Sequence, residues 1–365
     1  MVSYNEDIKR FEDELRTTKY NKRTQHHIGL VKAKIARLKD KQEARSSKGK
    51  KGEGYAVRKS GDATVILVGY PSVGKSTLLN ALTNAQSRVG AYAFTTLDVI
   101  PGLLKYKDAK IQILDVPGIV RGAAAGTGRG KEVLSVIRNA DLALIIADAH
   151  HVDQMQYLLK EIEDAKIRLD TRFPDVTIKK TMKGGIGIGT TVNLKQLNNL
   201  TIETVLREFK INNADVLIRE DIDVDQLIDV IERNKVYLPS IRLVNKTDLF
   251  PAKEVPGLLK KAGAEMGISA EERTNINKLK DLIFSRLRFM RIYMKEPGKK
   301  ADLGEPLIVF EGCTVRDVCD KLHRGFVQRF RFVRIWGKSS KFPGQKLLRL
   351  SHVLMDQDII ELHLN

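Results

Sequence analysis

Residues 69–77 read Gly69-Tyr70-Pro71-Ser72-Val73-Gly74-Lys75-Ser76-Thr77, directly after the apolar run Ala63-Thr64-Val65-Ile66-Leu67-Val68. No other stretch constrains the chain so tightly. A buried strand has to end in a glycine loop, and that loop has to turn into a helix carrying Leu78, Leu79 and Leu82. The two glycines let backbone N–H groups wind around a polyphosphate, Lys75 reaches the terminal phosphates, and the Ser76 hydroxyl is placed to hold Mg²⁺ at a helix N-terminus. The expected ligand is a nucleoside triphosphate.

Asn245-Lys246-Thr247-Asp248 follows a second apolar run, Ile241-Arg242-Leu243-Val244, and bears on the base. An ionised carboxylate accepts two hydrogen bonds, and guanine offers two adjacent donors, its ring N1–H and its exocyclic amine. Adenine offers no such pair. Asp248 is therefore expected to read guanine, Asn245 to contact the opposite edge and the Lys246 stem to cover the ring. Between the two motifs, Asp115-Val116-Pro117-Gly118 follows the strand-like Lys110-Ile111-Gln112-Ile113-Leu114. Asp115 is expected to bind Mg²⁺ through water, and the Gly118 amide to contact a γ-phosphate. Loss of that phosphate would release the following loop, which contains Gly122, Gly126, Gly128 and Gly130. Upstream, Phe94-Thr95-Thr96 offers a threonine for the metal shell, with Thr96 preferred; downstream, Ser269-Ala270-Glu271 offers a backbone N–H to the guanine oxygen.

This set of motifs resembles the Obg-like GTPases, and within them the developmentally regulated GTP-binding protein family. The resemblance rests on residues 69–77, Ala91-Tyr92-Ala93-Phe94-Thr95-Thr96-Leu97, Asp115-Val116-Pro117-Gly118-Ile119, Asn245-Lys246-Thr247-Asp248 and a C-terminal segment similar to a TGS domain. It spans essentially the whole chain. It implies Mg²⁺-dependent hydrolysis of GTP to GDP, with Lys75, Thr96, Asp115 and Gly118 in the catalytic set, and association with the translation apparatus. One position departs from the better-known small GTPases: Ile119 follows Gly118 where they carry a glutamine that orients the attacking water. Unaided turnover is expected to be slow. A partner, another side chain such as Arg121 or Arg129, or a potassium ion would have to assist. Relatives that hold K⁺ use an asparagine in the phosphate loop, and the corresponding position here is Ser72, a poorer ligand.

Charge is unevenly distributed. Residues 1–59 hold 17 Lys and Arg against 8 Asp and Glu, and residues 286–349 hold 16 against 6, so the rest of the chain is about neutral although the total is +18. Two basic ends on a neutral nucleotide-binding core point to an anionic polymer, the ribosome or a structured RNA, with an acidic membrane as the lesser alternative and no sequence-specific DNA contact expected. A regulatory protein partner is the other class of ligand considered, in which case the chain would act as a GTP-gated scaffold with negligible hydrolysis. No apolar stretch approaches the roughly 18 to 20 residues of a membrane span, and the N-terminus lacks a signal-peptide core, so cytoplasmic residence is expected. Cys313 and Cys319 match neither a disulfide framework nor a zinc site and read as buried thiols.

The expected fold class is α/β: a phosphate-loop domain with a mostly parallel sheet, an N-terminal helical region, an internal α+β insertion and a C-terminal β-grasp, TGS-like domain. Residues 1–60 read as a basic helical hairpin, broken near residue 20, and a linker. In its two halves Ile8, Phe11 and Leu15, then Ile28, Val31, Ile35 and Leu38, fall at helical spacing. Residues 61–294 form the nucleotide-binding domain, with the insertion at about 175–235 and a long helix running through Leu169. The glycine run Gly184 to Gly189 lacks dinucleotide-site spacing, and His150 and His151 have no ligand set around them. Residues 295–365 form the C-terminal domain. There the run Phe330-Arg331-Phe332-Val333-Arg334-Ile335-Trp336 is expected to place its aromatics in the core and its arginines toward phosphates.

Overall fold

The computed structural model describes residues 4–19, 21, 24–46, 61–83, 100–115 and 136–365. The chain forms two compact units, each assembled from separated stretches: residues 1–54 with 171–237, and residues 55–170 with 238–365.

The larger unit is built on a six-stranded sheet. Strands β1 (Ala63–Val68), β3 (Ala109–Asp115), β4 (Leu142–Asp148), Ser240–Asn245 and Met266–Gly267 run parallel, and β2 (Ile100–Tyr106) pairs antiparallel with β3 at the edge. Every residue of β1 and β4 is buried, as expected for strands covered on both faces. Alternation sorts their side chains. Ile66, Val68, Ala143, Ile145 and Ala147 meet Met155, Leu158 and Ile162 of the helix Gln154–Asp164 on one face. Val65, Leu67, Leu142, Leu144 and Ile146 meet Leu78, Leu79 and Leu82 of the helix Lys75–Thr83, with Leu279 and Ile283 of the helix Ile276–Arg286, on the other.

The helix after β4 is shorter than the sequence suggests. It stops at Asp164, where the Ala165 N–H bonds back to Glu161 and Lys166 takes a left-handed φ of 65°, and Ile167–Leu169 is a short strand.

Residues 289–364 add a five-stranded sheet in the order Leu307–Phe310, Phe289–Met294, Ile359–Leu364, Phe330–Trp336, Gln345–Leu347, with the helix Val315–Leu322 on its inner face. That helix starts in a capping box between Thr314 and Asp317. Cys313 and Cys319 are buried and unbridged; burial raises both thiols, Cys313 to about 11. The aromatics correct the sequence reading. Val333 and Ile335 fill the core, so regular alternation from Phe332 to Trp336 puts Phe332, Arg334 and Trp336 on the opposite face, while the irregularity between Phe330 and Phe332 lets Phe330 pack against the core.

In the smaller unit the helices Tyr4–Thr17 and Gln25–Ser46 pack through Ile8, Val31 and Ile35. Residues 171–237 supply a three-stranded sheet and the helices Asn199–Glu208 and Val224–Glu232. The second N-terminal helix lies on these: a Cβ at Gly29 would sit 2.8 Å from the Thr201 methyl, so the close approach needs glycine. Flanking it, Arg37 pairs with Glu208 at 2.8 Å, Lys32 with Asp225 at 2.5 Å, and His26 hydrogen-bonds Thr204 at 2.7 Å.

Candidate nucleotide-binding site

The carboxyl ends of β1, β3, β4 and Ser240–Asn245 bring the phosphate loop, Asp115, Asp148 and Asn245 to one edge of the sheet. Register sets their heights: Leu67 is opposite Asp115 and Asn245 opposite Asp148. Within the loop Gly69 and Val73 are buried while Pro71 and Ser72 are exposed, and Ser72 has a left-handed φ of 64°. Both glycines are sterically required. A Cβ on Gly69 would lie 2.6 Å from the Ile146 carbonyl, and one on Gly74, whose φ is +90°, would run into the Asn245 amide.

Lys75 is buried, and its ammonium donates to the Gly69 and Tyr70 carbonyls at 3.1 and 3.0 Å. Burial pushes its pKa below the ordinary lysine range, while the Asp115 carboxylate pulls it back up. Ser76 Oγ donates to Asp115 Oδ2 at 2.5 Å. The other carboxylate oxygen, Asp115 Oδ1, is buried without a hydrogen-bond partner among the described residues. Thr77 is exposed at the start of the helix.

Asn245 is only 2 % exposed and braces the site. Its Nδ2 donates to the Val73 carbonyl at 2.8 Å, and its Oδ1 accepts the Ala270 N–H at 3.0 Å, so one amide ties the phosphate loop to the Ser269-Ala270-Glu271 turn. The Ala270 N–H is thus engaged by Asn245. Ser269 holds the turn by accepting the Glu272 N–H at 3.1 Å. Lys246 adopts a left-handed φ of 63°, and its ammonium lies 2.6 Å from Asp148. Thr247 anchors the segment by donating its hydroxyl to the Ile268 carbonyl at 3.0 Å, which leaves Asp248 exposed beside it. Asp148 is the residue the sequence reading left without a role. Burial alone would raise its carboxyl, but the Lys246 ammonium and the His150 N–H hold it below the usual range. Its signal was a lone carboxylate closing a buried strand, as Asp115 does. Phe94, Thr95, Thr96, Val116, Pro117 and Gly118 lie outside the described residues.

A parallel α/β sheet with a glycine loop between β1 and its helix, and an Asn-Lys-x-Asp segment braced to that loop, defines the class of guanine-nucleotide-binding phosphate-loop proteins. Comparison with known proteins agrees. Residues 64–174 match the family described as 50S ribosome-binding GTPase, residues 183–289 the C-terminal region of that domain, and residues 290–364 the TGS domain. The chain is 51% identical over 365 residues to a GTP-binding protein of Methanocaldococcus jannaschii, covering 99% of this chain and 93% of that one. It is 40% identical over 359 residues to human developmentally-regulated GTP-binding protein 2, covering 98% of each, and 41% identical over 369 residues to the Dictyostelium discoideum homologue of developmentally-regulated GTP-binding protein 1, covering 99% of each. The chain belongs to the developmentally regulated GTP-binding protein family of Obg-like GTPases with a C-terminal TGS domain. Among the described residues no helix is long and apolar enough to cross a membrane.

Proposed function

We propose that this protein is a cytoplasmic, Mg²⁺-dependent GTP-hydrolysing switch that acts on the ribosome or on translation-associated RNA. The observation that carries the hydrolytic part is the Ser76–Asp115 pair, with Asp115 Oδ1 buried and unpartnered among the described residues. A buried carboxylate oxygen with no donor is costly unless something cationic or protic meets it when the site is loaded. Hard oxygen donors at the end of a phosphate loop suit Mg²⁺, and Ser76, Asp115 and Thr96 are the residues assigned to hold it, Asp115 through water. Bound there, the ion would neutralise charge on the β- and γ-phosphates.

In this reading the amides of residues 69–77 cradle the phosphates. Lys75 exchanges its two carbonyl partners for phosphate oxygens, and its partial burial strengthens that exchange by keeping water away. Asp248 accepts from guanine N1–H and the amine, the Lys246 stem covers the ring, and the second amide hydrogen of Asn245 is left to meet the opposite edge. The turn at 269–271 supplies the donor to the guanine oxygen from an amide other than that of Ala270. Residues 94–96 and 115–118 form the γ-phosphate-sensing set. Hydrolysis and its coupling to the ribosome draw support from the family to which the chain belongs and from the basic ends.

Ile119 favours a second reading, because a side chain without hydrogen-bonding groups cannot orient water. There the chain is a GTP-gated scaffold for a protein partner. Multiple-turnover GTP hydrolysis with and without ribosomes separates the two. Acceleration by ribosomes, with co-sedimentation stronger in a GTP analogue than in GDP, is the expected result; stoichiometric binding without turnover under all conditions would favour the scaffold. Repeating the assay in potassium and sodium salts at equal ionic strength tests cation assistance at Ser72.

A further inference from the structure

The C-terminal sheet has two faces of opposite chemistry. On the inner face Met290, Ile292, Val333, Ile335 and Ile360 are buried against the helix Val315–Leu322. The outer face divides again. Near Phe289–Met294 and Leu307–Phe310, Phe289 and Ile308 pack into the apolar cluster that contains Leu279 and Ile283 of the nucleotide-binding domain. Along Phe330–Trp336, Gln345–Leu347 and Ile359–Leu364, no hydrophobic cluster among the described residues takes in Phe332 or Trp336.

Rings and cations occupy that half, where Phe332 and Trp336 are half-buried and the Gly344 backbone packs against the Trp336 ring. Phe332 and its cross-strand neighbour His363 are stacked, with centroids 4.1 Å apart and planes inclined by 16°. Lys346 Nζ lies 4.2 Å from the Phe332 centroid and the Arg331 guanidinium carbon 5.9 Å from it. Lys295 Nζ lies 4.8 Å from the centroid of Trp336. Arg334, between the two rings in the strand, is exposed. The carboxylate of this face, Glu361, is buried and already held by Lys295 and His363, so it does not cancel Arg331, Arg334 or Lys346.

The combination selects among ligands. An apolar protein surface would leave three cations without partners. An acidic peptide would satisfy the cations and give the rings nothing flat to stack on. A nucleic-acid duplex offers phosphates but keeps its bases stacked on one another. An unpaired strand offers both, bases for the rings and phosphates for Lys and Arg. Lys346 on Phe332 fits this: a base can displace its ammonium, which then moves to the phosphate beside it, while Lys295 stays with Glu361.

We propose that the outer face centred on Phe332 and Trp336 is a platform for unpaired RNA bases. The inference rests on the reading of the basic C-terminal module as RNA-facing, and adds that the RNA it takes is single-stranded.

The test is fluorescence anisotropy of the full-length protein with a short labelled single-stranded RNA and with the same strand paired to its complement. Replacing both rings, Phe332→Leu with Trp336→Leu, is expected to weaken single-strand binding by about tenfold or more per ring. Duplex binding should be unchanged, and so should the salt dependence of what single-strand binding remains, because the phosphate contacts persist. Phe332→Tyr with Trp336→Phe keeps the flat faces and should retain the parent affinity, which separates stacking from a disturbed sheet. GTP binding equal to the parent in both pairs checks the fold. If the leucine pair binds single strands as the parent does, or loses duplex and single strand equally, the platform is overturned while the RNA reading stands. If the parent binds neither RNA, the RNA reading falls with it and the face passes to a protein partner.

Discussion

Asn245 and Asp115 are both buried polar side chains at the carboxyl ends of strands in one sheet, 2 % and 5 % exposed, yet the two halves of the site use them in opposite ways. Asn245 has both ends of its amide satisfied by protein backbone, at Val73 and Ala270. Asp115 has one oxygen on the Ser76 hydroxyl and the other on no described group. The half assigned to the base is therefore tied to the protein's own backbone, while the half assigned to the phosphates holds a carboxylate oxygen that no described group meets. In the proposed function the first would hold the base without rearrangement, and the second would respond to a changing ligand.

That contrast can be broken experimentally, starting where the effect is largest. Lys75→Ala removes the only charged group of the phosphate loop and should abolish measurable triphosphate binding, a loss of about a thousandfold or more, since several charge-assisted contacts go together. Nucleotide titration by fluorescence reads this directly; retained affinity would mean the loop carbonyls are the true partners of Lys75. Next, Asp248→Asn should lower GTP affinity by about a hundredfold or more, as two hydrogen bonds to a charged acceptor are lost. It should gain relative affinity for xanthosine triphosphate, whose 2-position presents an acceptor. Unchanged GTP binding would remove Asp248 from base recognition.

Asn245→Ala probes the brace itself. It strands the Val73 carbonyl and the Ala270 N–H, both at buried contacts, and should cost about 2–4 kcal/mol in denaturant-induced unfolding of the nucleotide-free protein. A cost seen only with nucleotide bound would show that the brace forms on binding. The smallest effect is expected for Asp148→Asn, about 1 kcal/mol, because Lys246 is partly exposed. Its pH dependence gives the sign. The folded carboxyl titrates below its ordinary value, so the ion pair stabilises at pH values above the unfolded carboxyl's pKa, and that contribution is lost as pH falls through the lower folded pKa. Parent and variant should therefore differ near neutrality and converge in acid below the usual aspartate range.

The parts of the fold that were legible in the sequence were those where local chemistry leaves one solution. Gly69 and Gly74 mark the loop because no side chain fits there, and the buried β1 and β4 announced themselves as unbroken apolar runs. Asp148 was not legible. Its partner Lys246 is remote in sequence, and only the pairing of β4 with Ser240–Asn245 brings them together. Asn245 could be located from its motif, but its attachment to Val73 depends on how two loops meet. The faces of Phe332 and Trp336 were not legible because the run holds two apolar sets of opposite parity, Phe332 with Trp336 and Val333 with Ile335, and only the packing of the helix Val315–Leu322 decides which set is inner.

The docking of the N-terminal helices on residues 171–237 has a consequence for synthesis of the chain. The helix Gln25–Ser46 leaves the ribosome well before its partner helix Asn199–Glu208, which begins about 150 residues later. At typical elongation rates that delay is on the order of ten seconds. Throughout it, the groove-facing Gly29 and Ala33, with Lys32 and Arg37 beside them, have no Thr201, Asp225 or Glu208 to meet. A nascent chain of this protein thus carries Lys32 and Arg37 without their carboxylate partners until the insertion emerges and takes those cations into its own ion pairs.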